Sequence, residues 1–356
     1  MTRRQRVYAA LRGEMADRVP FTCYGGLLPR GETSRKLREM GLTLVDRIPV
    51  FSFGQPGVEY ETRQYERDGR WWVRNTVRTP VGEVTEELRT GGGYGTSLRH
   101  EFFIKRPEDY RVMEFLARNE VYAAAYDGYL AHLQTTGEDI AVIGNLGYTP
   151  LQQMLIMWMG PERFAIDMIE RPTEFWSLYE AQRERHREQY ELAANSPSEF
   201  FIYGDNVTAE MCGPERFAKY IGSCYDECAE MLHAKGKRLG SHLDGKMVAL
   251  MPQVAATKLD FIEAFAPFPD GDLPLGDARR AWPDKVISTN FPSPVHLQPP
   301  DEVRAFTRQM LAEMAPGDRF IIGITENMPE TTWQDSMMAI ASVLGEEGDL
   351  PLGAVQ

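Results

Sequence analysis

Short bursts of strict apolar and polar alternation are separated along this chain by longer stretches with helical spacing. Arg4 to Gly13 carries Val7, Ala10 and Leu11 at helical intervals and stops on a glycine, which predicts a short opening helix. A first strand is expected over 18–26, a helix over 34–40 and a second strand over 45–53. Later bursts at 139–147 (DIAVIGNLG), 200–206 (FFIYGDN), 238–245, 260–267 (DFIEAFAP), 285–292 (KVISTNFP) and 319–329 (RFIIGITENMP) each read as a buried strand followed by loop and helix. Eight strands separated by helices predict an α/β fold, the closed (β/α)8 TIM-type barrel, with its active site at the carboxyl ends of the strands. An open doubly wound sheet is the alternative.

The rhythm breaks between 55 and 138. Asp68-Gly69 before Trp71-Trp72-Val73, and Thr79-Pro80-Val81-Gly82, are turn signals between short strands. The expectation is one barrel domain over 1–356 with a small antiparallel insertion at 55–138, β-rich over 55–100 and helical over 105–136. The run Gly91-Gly92-Gly93-Tyr94-Gly95 has no Lys-Ser/Thr after it and no helix opening on it, so it is read as a connection and not a phosphate loop.

Composition narrows the functional classes. At 356 residues and 43% hydrophobic content the chain buries a core of enzyme size. A net charge of -13 argues against a nucleic-acid surface, which needs clustered Lys and Arg. No apolar run reaches roughly 18 residues, so no membrane span is expected, and the amino terminus reads as helix and not as a signal peptide. The expected location is cytoplasmic. Cys23, Cys212, Cys224 and Cys228 show no CxxC spacing, so no disulfide framework is expected, and Cys224 and Cys228, four apart on one helical face, read as buried apolar residues.

The strand ends hold the candidate chemistry. In Leu239-Gly240-Ser241-His242-Leu243-Asp244-Gly245 a period of two puts His242 and Asp244 on one face. Glu263 and Glu326 close later strands, and Asp205, Asn206 and Asn290 occupy comparable positions. Several carboxylates converging at buried strand ends need a cation, a shared proton or a substrate group. A divalent metal held by His242, Asp244, Glu263 and Glu326 meets that need with one nitrogen and three oxygen donors. The plain alternative for each carboxylate is a helix cap or a loop ion pair, and for His242 a metal-free His-Asp pair.

Beyond these patterns, three segments resemble a known family. Val7-Tyr8-Ala9-Ala10-Leu11-Arg12-Gly13-Glu14 with Asp17-Arg18-Val19-Pro20, Gly213-Pro214-Glu215-Arg216-Phe217-Ala218-Lys219-Tyr220, and His233-Ala234-Lys235-Gly236-Lys237 are similar to the uroporphyrinogen decarboxylase superfamily. The Arg-rich substrate motif of its decarboxylases is not evident, which places the resemblance nearer the corrinoid-linked methyltransferase branch. Enzymes of that branch bind zinc through His-x-Cys, an acidic residue and a final Cys. His242 matches the His, Asp244 and Glu326 stand where the cysteines would be, and Glu263 falls near the acidic position.

Replacing thiolates by carboxylates makes a harder site that favours oxygen over sulfur. The resemblance then implies an O-demethylase with zinc as the metal, a methoxy compound as substrate and a corrinoid (cobalamin) protein as partner. Asp205 joins His242 as a catalytic candidate, and Asn206, Tyr148 and Asn290 are expected to orient the substrate. A homodimer is one option for the assembly. The rival enzyme is a decarboxylase or lyase for a small carboxylic acid; no arginine is read at a strand end to clamp its substrate. A barrel that binds without catalysis is the third reading.

Overall fold

The computed structural model describes residues 1–91 and 96–353; residues 92–95 of the glycine run lie outside it. Eight parallel strands close into a barrel, here numbered β1 (Phe21–Tyr24), β2 (Leu42–Pro49), β3 (Ile140–Asn145), β4 (Phe200–Tyr203), β5 (Arg238–Ser241), β6 (Phe261–Phe265), β7 (Val286–Asn290) and β8 (Phe320–Ile324). Each pairs with its chain neighbours, and β1 closes the ring against both β2 and β8. The expected (β/α)8 class is the observed one, and antiparallel sheets accompany it.

Alternation along the strands fills the barrel from its amino end upward. Val45, Ile143, Phe200, Ile202, Phe261, Val286 and Ile321 form one buried cluster, and Val7, Ala10 and Leu11 of α1 (Arg3–Leu11) pack into it from below. The helix begins on a capping box between Thr2 and Gln5, and Tyr8 Oη both donates to Val142 O (2.9 Å) and accepts its N–H (3.1 Å). Two strand glycines make room for aromatic rings: a Cβ at Gly144 would collide with Phe201, and one at Gly240 with Phe261. Moving two residues up from the apolar layer leads from Val45 to Arg47, from Gly240 to His242 and from Phe261 to Glu263. The polar site is therefore the next storey of the same period-two face.

Two boundaries differ from expectation. The second strand begins at Leu42 and ends at Pro49, and Phe51–Gly54 pairs antiparallel with Val121–Ala124 outside the barrel. Proline supplies no ladder N–H, so a break there is natural. The fifth strand ends at Ser241, so His242 and Asp244 lie just past it, although His242 N–H still donates to Tyr203 O at 2.8 Å.

The chain divides into two compact units. One comprises 1–50, 125–147 and 193–356 and contains the barrel. The other comprises 51–124 and 148–192. Its four-stranded antiparallel sheet runs Glu59–Arg67, Arg70–Thr79, Gly82–Thr90 and Ser97–Glu101. Asp68 and Gly69 both take positive φ (54° and 67°), as a two-residue hairpin turn requires. All four cysteines are free and buried.

Candidate active site

His242 is the centre of the polar storey. It is buried, and each ring nitrogen faces different company. Nε2 lies 3.4 Å from Asp244 Oδ2 and 4.0 Å from Glu326 Oε1. These three side chains bring one donor atom each to within 4.8 Å of one another, close enough to share a metal ion. Asp244 is 26% exposed and Glu326 50% exposed, so the cluster opens toward solvent on their side.

Glu263 serves the other nitrogen. Its Oε2 is 3.5 Å from His242 Nδ1 and 2.6 Å from an Arg47 guanidinium nitrogen, and its Oε1 accepts a short hydrogen bond from Tyr24 Oη. The expected four-donor set is thus not assembled as such: three members meet at Nε2, and Glu263 is drawn away by Arg47 and Tyr24. Burial is the largest single influence on the Glu263 carboxyl and would raise it, but the charges and hydrogen bonds of Arg47 and His242 together outweigh it and hold the group below its ordinary range. The Arg47 guanidinium also stacks over the Tyr24 ring, 4.2 Å from its centroid.

Besides the Glu263 carboxylate, three donor groups approach Nδ1: Arg47 at 3.2 Å, the Ala264 N–H at 3.3 Å and the Tyr24 hydroxyl at 3.4 Å. A neutral ring without a cation therefore favours the proton on Nε2, facing Asp244. A cation on Nε2 reverses the tautomer, and Glu263 is then the acceptor for Nδ1–H. Burial disfavours the charged imidazole, yet the hydrogen bonds and charges of Asp244 and Glu263 prevail and push its pKa up to about 9. Burial raises the Glu326 carboxyl, as does the nearby Asp244, while the His242 charge pulls the other way; the net direction is up.

Arg47 and Tyr24 were not anticipated, and the absence of an arginine at a strand end is corrected by Arg47. The signal was available: Val45 and Arg47 share one face of β2, and Tyr24 closes β1 directly before Gly25-Gly26.

Asp205 is placed elsewhere. Phe200 and Ile202 point into the barrel, so by period two Asp205 points out of it, toward the helix Ser223–His233. It is wholly buried, and Tyr225 Oη donates to its Oδ2 at 2.6 Å while lying 2.7 Å from Ser241 Oγ. Burial first, and then the Asp205 charge, lift the Tyr225 hydroxyl well above its ordinary pKa. With no exposed atom, Asp205 has no means here of passing a proton to substrate and acts as a buried tie behind His242. Tyr225→Phe removes that donor and is expected to cost about 1–3 kcal/mol in urea denaturation; an unchanged midpoint would show the tie to be idle.

Asn290 is also buried, with Oδ1 accepting the Thr325 N–H at 3.0 Å, so it pins the backbone next to Glu326. Asn206 is exposed, with a positive φ of 48°. Tyr148 belongs to the second unit, where it is half-buried. Among the described residues no helix is long and apolar enough to cross a membrane.

Comparison with known proteins places this geometry in context. The family model for uroporphyrinogen decarboxylase matches residues 93–346. Among solved structures, a methyltransferase from Methanosarcina mazei superposes with a TM-score of 0.58 at 11% identity, covering 97% of this chain and 99% of that one. At that identity the likeness is one of fold. A catalytic module of a pneumococcal exo-β-D-N-acetylglucosaminidase covers 91% of this chain and 83% of its own at 10% identity, but its TM-score of 0.34 carries no argument. No curated protein sequence matches this chain.

Proposed function

Since the chain belongs to the uroporphyrinogen decarboxylase family, we propose that it is a metal-dependent methyltransferase of the O-demethylase type, moving a methyl group from a methoxy compound to a corrinoid protein. The observation that carries this reading is the meeting of His242, Asp244 and Glu326 on one side of a buried imidazole. Its all-carboxylate complement to the histidine suits a hard cation and an oxygen-bearing substrate. The shared fold with a methyltransferase agrees with it.

The residues fit a divalent ion. Arg47 offsets Glu263, and a dication beside a neutral His242 would offset Asp244 and Glu326 in the same way. Without one, a single proton on His242 stands between two carboxylates, and Glu326 is held above its usual range. Zinc, held by His242, Asp244 and Glu326, would act there as a Lewis acid on the ether oxygen and lower the basicity of the departing alkoxide or phenolate. The corrinoid, on its own carrier protein, would supply the nucleophile that takes the methyl group. The protein's own part is positional: Glu263 fixes the imidazole through Nδ1, Arg47 and Tyr24 fix Glu263, and Asn290 fixes the backbone that presents Glu326. Asn290→Ala is expected to weaken zinc binding about tenfold, in the range typical of groups that orient metal ligands. Chelator competition reads this directly, and an unaltered affinity would remove Asn290 from the scheme.

A decarboxylase or lyase acting on a small carboxylic acid is the second reading, and Arg47 favours it by placing a guanidinium at the mouth. Its hydrogen bond to Glu263, at 2.6 Å, leaves that arginine already committed, which ranks this reading below the first. One experiment separates them. Zinc-loaded protein is mixed with a reduced corrinoid protein and a panel of methoxyarenes, and the corrinoid spectrum and the free phenol are followed. Phenol release matched by corrinoid methylation supports the methyltransferase; no reaction with any methoxyarene, together with carbon dioxide release from an acid, overturns it.

A further inference from the structure

A second polar concavity lies in the barrel unit, along α2 (Glu32–Glu39), and the site around His242 makes no use of it. The cavity measures about 530 Å³ and is lined by Arg3, Arg30, Arg35 and Arg38 against two carboxylates, Glu39 and Asp139. In a chain of net charge -13 this is a local reversal of sign. Arg35 is taken up by Glu39 at 2.7 Å. Asp139 is shared between Arg3 (3.5 Å) and Arg38 (3.3 Å), so one carboxylate serves two guanidinia and a positive charge is left over.

The donors tell the same story. Arg3 Nη1 and Arg38 Nε are closed to solvent and have no hydrogen-bond acceptor, so neither guanidinium is fully paired inside the protein, while the accessible remainder of each side chain (26% and 37% exposed) is the part the cavity can reach. Arg30 is exposed and makes no ion pair among the described residues. It precedes Gly31, the cap of α2, which offers no side-chain acceptor to the first turn, and nothing lies within 4 Å of where a Cβ at Gly31 would stand. Glu32 in that turn is bound to Lys36 at 2.8 Å. From Gly31 to Arg38 a helix rises about 10 Å, so the cavity has two electropositive ends roughly that far apart.

We infer that this groove binds an elongated small molecule carrying an oxyanion at each end, one at Arg30 and the start of α2, the other between Arg3 and Arg38. Arg3 opens the helix that closes the amino end of the barrel, and Asp139 directly precedes β3, so the Arg3–Arg38 end lies opposite the strand ends that present Asp244 and Glu326. Guanidinium pairs suit carboxylate and phosphoryl groups alike.

Calorimetry on the zinc-loaded full chain at low salt, with suberate, 7-phosphonoheptanoate, acetate and inorganic phosphate as probes, tests this. One of the two long dianions is expected to bind at least about tenfold more tightly than acetate or phosphate, and which one distinguishes a dicarboxylate from a phosphorylated ligand. Added salt should weaken binding. Arg30→Ser, at an exposed position, should cost about tenfold in affinity without moving the melting temperature, and Arg38→Ser should cost as much. Binding by the His242→Ala protein should be unchanged, which excludes coordination at the barrel mouth. Long dianions no tighter than acetate, or binding that survives Arg30→Ser, overturns the proposal.

Discussion

Replacing His242 with alanine will weaken divalent metal binding on the order of 1,000-fold, and methyl transfer with it. Structural zinc sites bind with apparent free energies of about 10–16 kcal/mol, so removing one of three or four donors costs on the order of 1,000-fold in affinity. His242 is the only nitrogen donor in the cluster, and its Nε2 lies 3.4 Å from Asp244 and 4.0 Å from Glu326. Glu263 and Arg47 remain paired in the variant, so the buried charge of Glu263 stays compensated and the fold is expected to persist. His242→Gln, which fills more of the same space, is the control for a cavity effect. A His242→Ala protein that still holds an equivalent of zinc through a desalting column would end the proposed site.

The same residue sets the pH dependence. A metal displaces the proton that Asp244 and Glu263 stabilise on His242, whose pKa stands at about 9. Apparent zinc affinity should therefore climb about tenfold per pH unit up to roughly 9 and then level off. The metal-free fold shows the opposite sign. Because the folded pKa lies above the unfolded value, the imidazolium contributes stability below about 6.5 that disappears as pH rises through about 9. A zinc affinity flat between pH 6 and 8 would contradict the protonated imidazole.

Much of this arrangement could be read before the fold was known, because barrel strands carry their information in period two. His242 and Asp244 share a face two residues apart, and burying a run such as Phe261-Ile262-Glu263 makes its single carboxylate conspicuous. Other features needed three dimensions. Glu263 and Glu326 are alike in sequence terms, two acidic residues in apolar strands, and only the positions of Arg47 and Tyr24 decide that one is tied to Nδ1 while the other faces Nε2. Asp205 follows a strand and so reads as a mouth residue, whereas the phase set by Phe200 and Ile202 turns it the other way. Asn290 shows the same limit: a buried amide at a strand end reads equally well as a substrate contact or a backbone tie, and only the fold shows that its Oδ1 takes the Thr325 N–H.

Arg47→Met will separate metal affinity from turnover in opposite directions. The substitution keeps an unbranched chain to lie against Tyr24 but leaves Glu263 buried with the His242 imidazolium as its remaining cationic neighbour in the metal-free protein. Breaking a buried pair on one side costs about 3–5 kcal/mol, and denaturation of the metal-free variant should show that loss less the part the imidazolium offsets. When zinc displaces the His242 proton, Glu263, released from the guanidinium, is free to turn to the metal itself. Zinc should restore most of the lost stability, because ligand binding to the folded state adds to it by mass action. Zinc affinity should rise about tenfold, since a third carboxylate has joined the donor set. Turnover should fall about 100-fold, because that carboxylate fills a position the substrate oxygen needs and weakens the metal as a Lewis acid. Arg47→Lys keeps the charge without the planar guanidinium that stacks on Tyr24 and should fall between the two proteins in all three measurements. If affinity and turnover fall together in Arg47→Met, or if zinc recovers none of the stability, then Arg47 does not hold Glu263 away from the metal, and Glu263 is a ligand in its own right.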